Sequence, residues 1–216
     1  MRRTQEHLSL IEQTPAGGSA AGLASDDYVT KVLTDTRGSA AYLRSIERTK
    51  RVGKSFPTST IGRQLEEITN LMLADAHTDI YYATLTGFDT HAGQRRKHDG
   101  LLEDYGLAIE AFVRELQAAR LFSDTLILTF SEFGRRAAQN KNAGTDHGKA
   151  NLAWLIGGSV RAGDVADLVP DLNNLDDGDL AMRTDFRSIY ATIVDRWLGG
   201  DADGLLRARY PRLNFL

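Results

Sequence analysis

Apolar residues recur along this chain in two patterns, helical spacing and short continuous runs. Helical spacing begins at Asp26 and at Thr60, extends from His98 to Arg120, and resumes after Thr184. Continuous runs rich in β-branched and aromatic residues occupy residues 80–86, 125–130 and 152–156. These runs predict buried strands between the helices.

The order strand, long helix, strand in residues 80–130 predicts a parallel strand pair with a right-handed crossover. Because the predicted strands are apolar almost throughout, we expect helices to cover both faces of the sheet. The predicted fold class is therefore α/β, with a mostly parallel sheet flanked by helices on both faces.

The domain organisation follows from the small residues near the start of the chain. Residues 14–25 are mostly Gly, Ala and Ser, which predicts a flexible N-terminal segment over residues 1–25. Residues 26–216 are then a single α/β domain. Within that domain, residues 158–184 are rich in Gly, Asn and Asp and predict a surface excursion.

Composition excludes several classes of protein. With 216 residues, 42% of them hydrophobic and 25% charged, the chain suits one globular domain. A formal net charge of -3 gives no reason to expect binding to nucleic acid. The absence of cysteine excludes disulfides, zinc fingers and thiol nucleophiles. No apolar run approaches the roughly 18 residues of a membrane span. Arg2 and Arg3 precede polar residues, so no signal peptide is predicted.

Polar side chains gather at the ends of the predicted strands. Asp89 and His91 follow the first strand, Glu132 follows the second, and Asp146 and His147 precede the third. Ligands of α/β sheets bind beyond the carboxyl ends of the strands, so we expect these groups to converge on one divalent ion. Carboxylates and imidazoles are the usual mixed ligands of Zn²⁺, Mn²⁺ or Fe²⁺. Since Asp146 and His147 are adjacent, one can ligate while the other orients.

Each of these groups also has a purely structural interpretation. Asp beside Thr caps helices and turns, and a loop histidine is often only a hydrogen-bonding residue. Glu132 suits the N-terminus of a helix. Arg135 suits either an anionic substrate group or solvent, while Arg136 and His98 are expected to face solvent. Three groups at facing strand ends favour the site over these alternatives.

Three motifs occur here in the order and spacing of one bacterial family. They are Gly87-Phe88-Asp89-Thr90-His91 with Gln94, Ser131-Glu132-Phe133-Gly134-Arg135, and Asn140 with Gly144-Thr145-Asp146-His147-Gly148. The chain resembles the bacterial domain of unknown function 1501 family, which is placed in the alkaline phosphatase and sulfatase superfamily. The similarity runs from about Thr60 to Leu198 and includes Thr184-Asp185-Phe186-Arg187 near its end.

The resemblance implies roles for the strand-end residues. Superfamily enzymes hold metal with Asp and His at the carboxyl edge of a central sheet, and Asp89 with His91 resembles one such group. Glu132 stands where those enzymes place an Asp-His pair, but Phe133 follows it, so one imidazole is missing. His147, with Asp146 beside it, resembles the late histidine that completes the metal site.

The resemblance fails at the front of the domain. Superfamily enzymes carry a metal-binding Asp and a Ser, Thr or modified Cys nucleophile after early strands, and this chain has no equivalent region. The implied fold is therefore alkaline phosphatase-like, represented by its C-terminal part and incomplete on its N-terminal side. Family members are often exported by the twin-arginine route.

Two functions follow as hypotheses. The first is a metal-dependent hydrolase of small phosphate or sulfate esters, in which Glu132 and Arg135 are catalytic and Arg135 holds the anion. Its metal ligands are Asp89, His91, Glu132, Asp146 and His147, and its ion is zinc, manganese, magnesium or calcium. The second is a non-catalytic or truncated domain that keeps the fold and one metal ion, since fold alone does not determine function.

Overall fold

The structure is a computed structural model that describes residues 30–34, 36–38, 41, 56–76, 78–161 and 170–216. The predicted flexible segment over residues 1–25 lies outside these residues, as does much of the helix predicted from Asp26. The described residues of that helix, 30–34 and 36–38, are helical. Gln64–Tyr82 belong to one compact unit, and Phe56–Arg63 with Ala83–Leu216 belong to a second.

Helices form where the apolar spacing predicted them. Helix α1 spans Thr60–Leu73 and helix α2 spans Gln94–Ala118. The buried residues of α2 recur at helical intervals and are Ala108, Ala111, Phe112 and Leu116. Helix α2 begins four residues before the predicted His98, after Gly93 in the left-handed conformation with φ 54°. None of the helices in the described ranges has both the length and the apolarity needed to cross a membrane.

Three short antiparallel strand pairs follow α2 and a 3₁₀ turn at Phe122–Asp124. Strands β1 and β4 pair with Leu126 opposite Gly157 and Thr129 opposite Trp154. Strands β2 and β3 place Arg135 opposite His147. The bounds are β1 Leu126–Thr129, β2 Gly134–Arg135, β3 His147–Gly148, β4 Trp154–Gly157, β5 Leu175–Asp176 and β6 Asp179–Leu180. The predicted second and third strands are thus confirmed in β1 and β4.

The strand predicted over residues 80–86 is wrong, and the described residues contain no parallel pair of this segment with β1. Ile80 and Tyr82 are 70% and 71% exposed, so strand-forming side chains here lie in solvent. The β2–β3 pair turns the segment after β1 back on itself, which brings β4 beside β1 in the opposite direction. The α/β, alkaline phosphatase-like fold class stays a prediction.

The C-terminal helices are held by aspartates at their ends. Helix α3 spans Phe186–Arg196, as the apolar spacing after Thr184 predicted, and its N-cap Asp185 accepts a hydrogen bond from the amide of Arg187. Helix α4 spans Ala202–Leu206. The amide of Ala202 donates to Asp195 at 2.8 Å, which fastens the start of α4 to the end of α3. This hydrogen bond and the neighbouring Arg212 guanidinium lower the pKa of Asp195.

The buried face of α2 generates a stability prediction. Leu116 has 0% exposure, so Leu116→Ala should lower the free energy of unfolding by about 2–5 kcal/mol through lost burial and an unfilled cavity. Leu107 lies on the same helix but is 49% exposed, and Leu107→Ala is the matched control with a much smaller effect. Urea unfolding of both variants measures the difference. Equal losses would contradict the packing of α2.

Candidate functional site

Three side chains of the types that ligate metals converge beside the loop that precedes α2. The Oδ1 atom of Asp89 lies 3.2 Å from Nε2 of His91 and 2.9 Å from Nε2 of His147. One ligand atom from each residue lies within 4.8 Å of the other two. The structure therefore brings together Asp89, His91 and His147, residues 58 positions apart at the extremes. We call these residues the Asp89–His91–His147 cluster.

The second ring nitrogen of His91 contacts another carboxylate. His91 Nδ1 lies 3.2 Å from Oδ1 of Asp146. A carboxylate on one nitrogen of an imidazole favours the tautomer that leaves the other nitrogen with a free lone pair. The structure thus places Asp146 behind His91 rather than among the three clustered ligand atoms. Of the Asp146–His147 pair, this arrangement places His147 in the cluster and Asp146 on the second nitrogen of His91.

His147 is held by its strand and by an aromatic neighbour. It lies in β3, opposite Arg135 of β2. The ring of Phe133 stacks on the His147 ring with centroids 3.9 Å apart and an interplanar angle of 6°. The His91 ring lies 5.0 Å from the His147 ring. Phe133, whose place in the motif the resemblance interprets only as a missing imidazole, therefore packs flat against the imidazole of His147.

Asn140 joins the two loops that carry the site. Its side-chain amide nitrogen lies 3.0 Å from the carbonyl oxygen of His91 and 3.2 Å from Oδ1 of Asp146, and donates to both. Its side-chain oxygen accepts from the amides of Asn142 and Gly144. A Cβ at Gly144 would overlap the carbonyl group of His91 and lie 2.8 Å from the amide nitrogen of Ala92. The close approach of the loops therefore requires glycine at position 144.

Arg135 is engaged by the main chain rather than free for an anion. Its two terminal nitrogens donate to the carbonyl oxygens of Thr145 and Phe88. The guanidinium also lies 3.8 Å from Asp89 Oδ1 and 5.1 Å from the Phe133 ring centroid. Only 17% of its side chain is exposed. Arg135 therefore ties the Asp89 loop to the Asp146 loop and places positive charge beside Asp89.

Two other sequence predictions fare differently. Glu132 is exposed and lies outside the Asp89–His91–His147 cluster, and no helix begins after it. Arg136, expected to face solvent, has 40% of its side chain exposed, and it also donates to the carbonyl oxygen of Asp177 and lies 3.8 Å from the buried carboxylate of Asp179. The expected convergence of Glu132 with the other groups depended on a parallel pair of strands, and the described residues contain only antiparallel pairs.

His98 is the site residue that the sequence interpretation missed. It was expected to face solvent, but its Nε2 lies 2.9 Å from Thr90 Oγ1 and 3.1 Å from the carbonyl oxygen of Phe88. Its ring meets the Phe88 ring edge to face with centroids 5.2 Å apart. The available signal was the four-residue spacing of Gln94 and His98, which places both on one face of the first turn of α2.

Hydrogen bonds within and beside the cluster lower the pKa of two carboxyl groups, Asp89 and Asp146. A hydrogen bond from His147, together with the nearby His91 and Arg135, lowers the pKa of Asp89. Hydrogen bonds from Asn140 and then His91 lower the pKa of Asp146. Both groups are accordingly ionised at neutral pH. The side chains of Asp89, His91 and His147 are 65%, 50% and 45% exposed, so the cluster is open to small solutes.

The donor set fits a divalent metal ion. One carboxylate oxygen and two imidazole nitrogens match the mixed ligands of zinc and related ions. Bonds of about 2.1 Å at tetrahedral angles separate neighbouring ligand atoms by about 3.4 Å. The observed separations of 2.9 and 3.2 Å lie close to that value. Three protein ligands also leave a coordination position for water or substrate, as catalytic zinc sites do.

The chain matches a known protein family. The family described as "Protein of unknown function (DUF1501)" matches residues 32–203, which include every residue of the site. No curated protein and no solved structure matches the chain.

The close contact at Gly144 can be tested by adding one methyl group. Gly144→Ala should lower the free energy of unfolding by about 1–3 kcal/mol, because the new Cβ meets backbone atoms of His91 and Ala92. Gly100→Ala on α2 is the control, since its Cβ would meet nothing within 4 Å. That variant should gain about 0.5–1 kcal/mol from the loss of glycine in a helix. Unfolding in urea separates the two, and a neutral Gly144→Ala would contradict the close approach.

Removing Asn140 should change the titration of Asp146. In Asn140→Ala the pKa of Asp146 should rise towards its ordinary value, because the largest cause of its lowering is lost. A lowered pKa in the folded state stabilises the fold at any pH above the ordinary pKa of the group, and that stabilisation is lost as the pH falls through the folded-state pKa. The free energy of unfolding of the variant should therefore fall less on acidification than that of the wild type. Carboxyl ¹³C NMR titration measures the shift, with Asp185, held low by Arg187, as the unaffected control.

Proposed function

Since the chain belongs to the DUF1501 family, we propose that it is a divalent-metal-dependent hydrolase of small phosphate or sulfate esters. The observation that carries the proposal is the Asp89–His91–His147 cluster, with Asp146 on the second nitrogen of His91. The ester class rests on the resemblance of the three motifs to the alkaline phosphatase and sulfatase superfamily.

Asp89, His91 and His147 would hold the ion. Asp89 supplies a charged oxygen, and its low pKa keeps that oxygen ionised at the pH of metal binding. His91 and His147 each direct Nε2 towards Asp89. When bound, a divalent ion supplies Lewis-acid polarisation of an ester oxygen and makes a water molecule more acidic.

The residues around the three ligands would orient the imidazole rings and place positive charge near a bound anion. Asp146 accepts from Nδ1 of His91 and so keeps Nε2 available as a ligand. Phe133 restricts the rotation of the His147 ring through stacking. Arg135 adds positive charge close to Asp89, which favours an anionic ester electrostatically even though its terminal nitrogens bind main-chain carbonyls.

Glu132 is assigned the role of proton acceptor rather than ligand. Its carboxylate is exposed and immediately precedes Phe133, the residue stacked on His147. A carboxylate outside the ligand set can accept the proton of an attacking water molecule without giving up a metal bond. The cluster's exposure leaves room for both water and a small ester to approach.

Metal content and hydrolysis test this proposal together. The chain purified without chelator should hold one divalent ion, and His91→Ala or His147→Ala should weaken its affinity by more than about 100-fold. That loss exceeds the roughly 10–100-fold typical of removing an outer-shell partner. Elemental analysis and hydrolysis of p-nitrophenyl phosphate and p-nitrophenyl sulfate are the measurements.

Glu132→Gln is the matched control for that experiment. It should keep the ion and lose hydrolysis, because the side chain lies outside the cluster but accepts the proton. Hydrolysis that survives His91→Ala, His147→Ala and chelation would show that the wrong residues have been assigned. A wild-type chain that binds the ion but cleaves neither ester would favour the non-catalytic alternative.

A further inference from the structure

A chain of hydrogen bonds runs from the loops of the Asp89–His91–His147 cluster through the first turn of α2. The hydroxyl of Thr145 donates to the side-chain oxygen of Gln94 at 2.8 Å. The side-chain nitrogen of Gln94 lies 3.4 Å from Nδ1 of His98. Nε2 of His98 in turn lies 2.9 Å from Thr90 Oγ1 and 3.1 Å from the carbonyl oxygen of Phe88. This Thr145–Gln94–His98 chain is separate from the contacts among the metal ligands.

The donors and acceptors of this chain determine the tautomer of His98. The amide nitrogen of Gln94 can only donate, so Nδ1 of His98 must accept. Nε2 then carries the hydrogen and donates to the Phe88 carbonyl and the Thr90 hydroxyl. The contact with Thr145 supports this orientation of the Gln94 amide, because the Gln94 side-chain oxygen accepts a hydrogen bond from the Thr145 hydroxyl. Each polar group of the chain therefore has a partner of the correct kind.

The chain connects the two loops that supply the ligands. Phe88 and Thr90 flank Asp89, while Thr145 directly precedes Asp146 and His147. Thr90 is 5% exposed, so its hydroxyl needs a partner inside the protein. Gln94 and His98 lie on α2, a helix of 25 residues that gives both loops one rigid support. A change at His98 should therefore move Asp89 relative to His147 without removing any ligand.

We propose that His98 is a positioning residue of the metal site, which holds the Asp89 loop against the His147 loop through Gln94 and Thr145 and thereby sets metal affinity. This inference rests on the proposed metal-dependent function. It predicts that a residue contacting no ligand of the Asp89–His91–His147 cluster controls binding of the ion. Outer-shell partners of metal ligands typically change metal affinity by about 10–100-fold when removed.

Cobalt titration followed by visible absorption tests the role of His98. His98→Leu should weaken Co²⁺ binding by about 10–100-fold and alter the absorption bands, because the ligands no longer meet at the same separations. His98→Gln restores a donor close to the position of Nε2 and should weaken binding by less than about 10-fold. Lys97→Leu, an exposed neighbour on the same helix, should bind Co²⁺ like the wild type.

Thr145→Val tests the other end of the hydrogen-bond chain, and it keeps the test valid if His98→Leu does not fold. It removes only the hydroxyl that donates to Gln94, and it should also weaken Co²⁺ binding. The His98→Leu/Thr145→Val double variant should lose less affinity than the sum of the single losses, since both break one chain. All titrations are made at a temperature at which circular dichroism shows each variant folded.

The possible outcomes separate this inference from the proposed function. Co²⁺ affinity and spectrum unchanged in folded His98→Leu and Thr145→Val, with only their stability lowered, would overturn the positioning role alone. Dependence of Co²⁺ affinity on His98 in a chain that hydrolyses no ester would support the positioning role and overturn the hydrolase. A wild-type chain that binds no Co²⁺ would overturn both.

Discussion

The site depends on one imidazole held between two carboxylates. His91 presents Nε2 to Asp89 and Nδ1 to Asp146, each at 3.2 Å. The contact with Asp146 occupies Nδ1, so that Nε2 is the nitrogen that faces Asp89, and the same Asp89 oxygen contacts Nε2 of the second imidazole, His147. Asp89 is therefore the residue through which the three ligand atoms of the cluster lie together. A hydrogen bond from His147 lowers the pKa of Asp89, and hydrogen bonds from Asn140 and then His91 lower the pKa of Asp146.

The surrounding fold holds the loop of Asp89 and His91 close to the loop of Asp146 and His147. The β2–β3 pair places His147 opposite Arg135, whose terminal nitrogens reach the main chain of both loops. Asn140 joins the loops through His91 and Asp146, and the absence of a side chain at Gly144 allows their backbones to approach. Helix α2 supports the opposite side through Gln94 and His98. Polar contacts of this kind are favourable here because the terminal nitrogens of Arg135 and the side-chain amide of Asn140 each have hydrogen-bond partners.

The sequence patterns predicted where helices and strands lie better than they predicted which strands pair. Apolar spacing located α1, α2 and α3, because the buried faces of helices repeat within one segment. Strand-forming composition located β1 and β4 but also predicted a strand over residues 80–86, where the structure has none. Strand pairing depends on distant segments, and composition alone does not specify the partner or its direction. Asp89, His91 and His147 were predicted together because their motifs carry the ligand chemistry. The expected place of Glu132 depended on a parallel sheet, and the contacts of His98 were not predicted because two of its partners, the Phe88 carbonyl and the Thr90 hydroxyl, lie in the loop before α2.

A crystal structure of the chain grown with Zn²⁺, with anomalous data at the zinc edge, tests the central claim most directly. We predict one anomalous peak within about 2.1 Å of Asp89 Oδ1, His91 Nε2 and His147 Nε2. Asp146 should remain on Nδ1 of His91, without a bond to the ion. A zinc ion bound elsewhere, or bound directly by Asp146 with His91 turned away, would contradict the account.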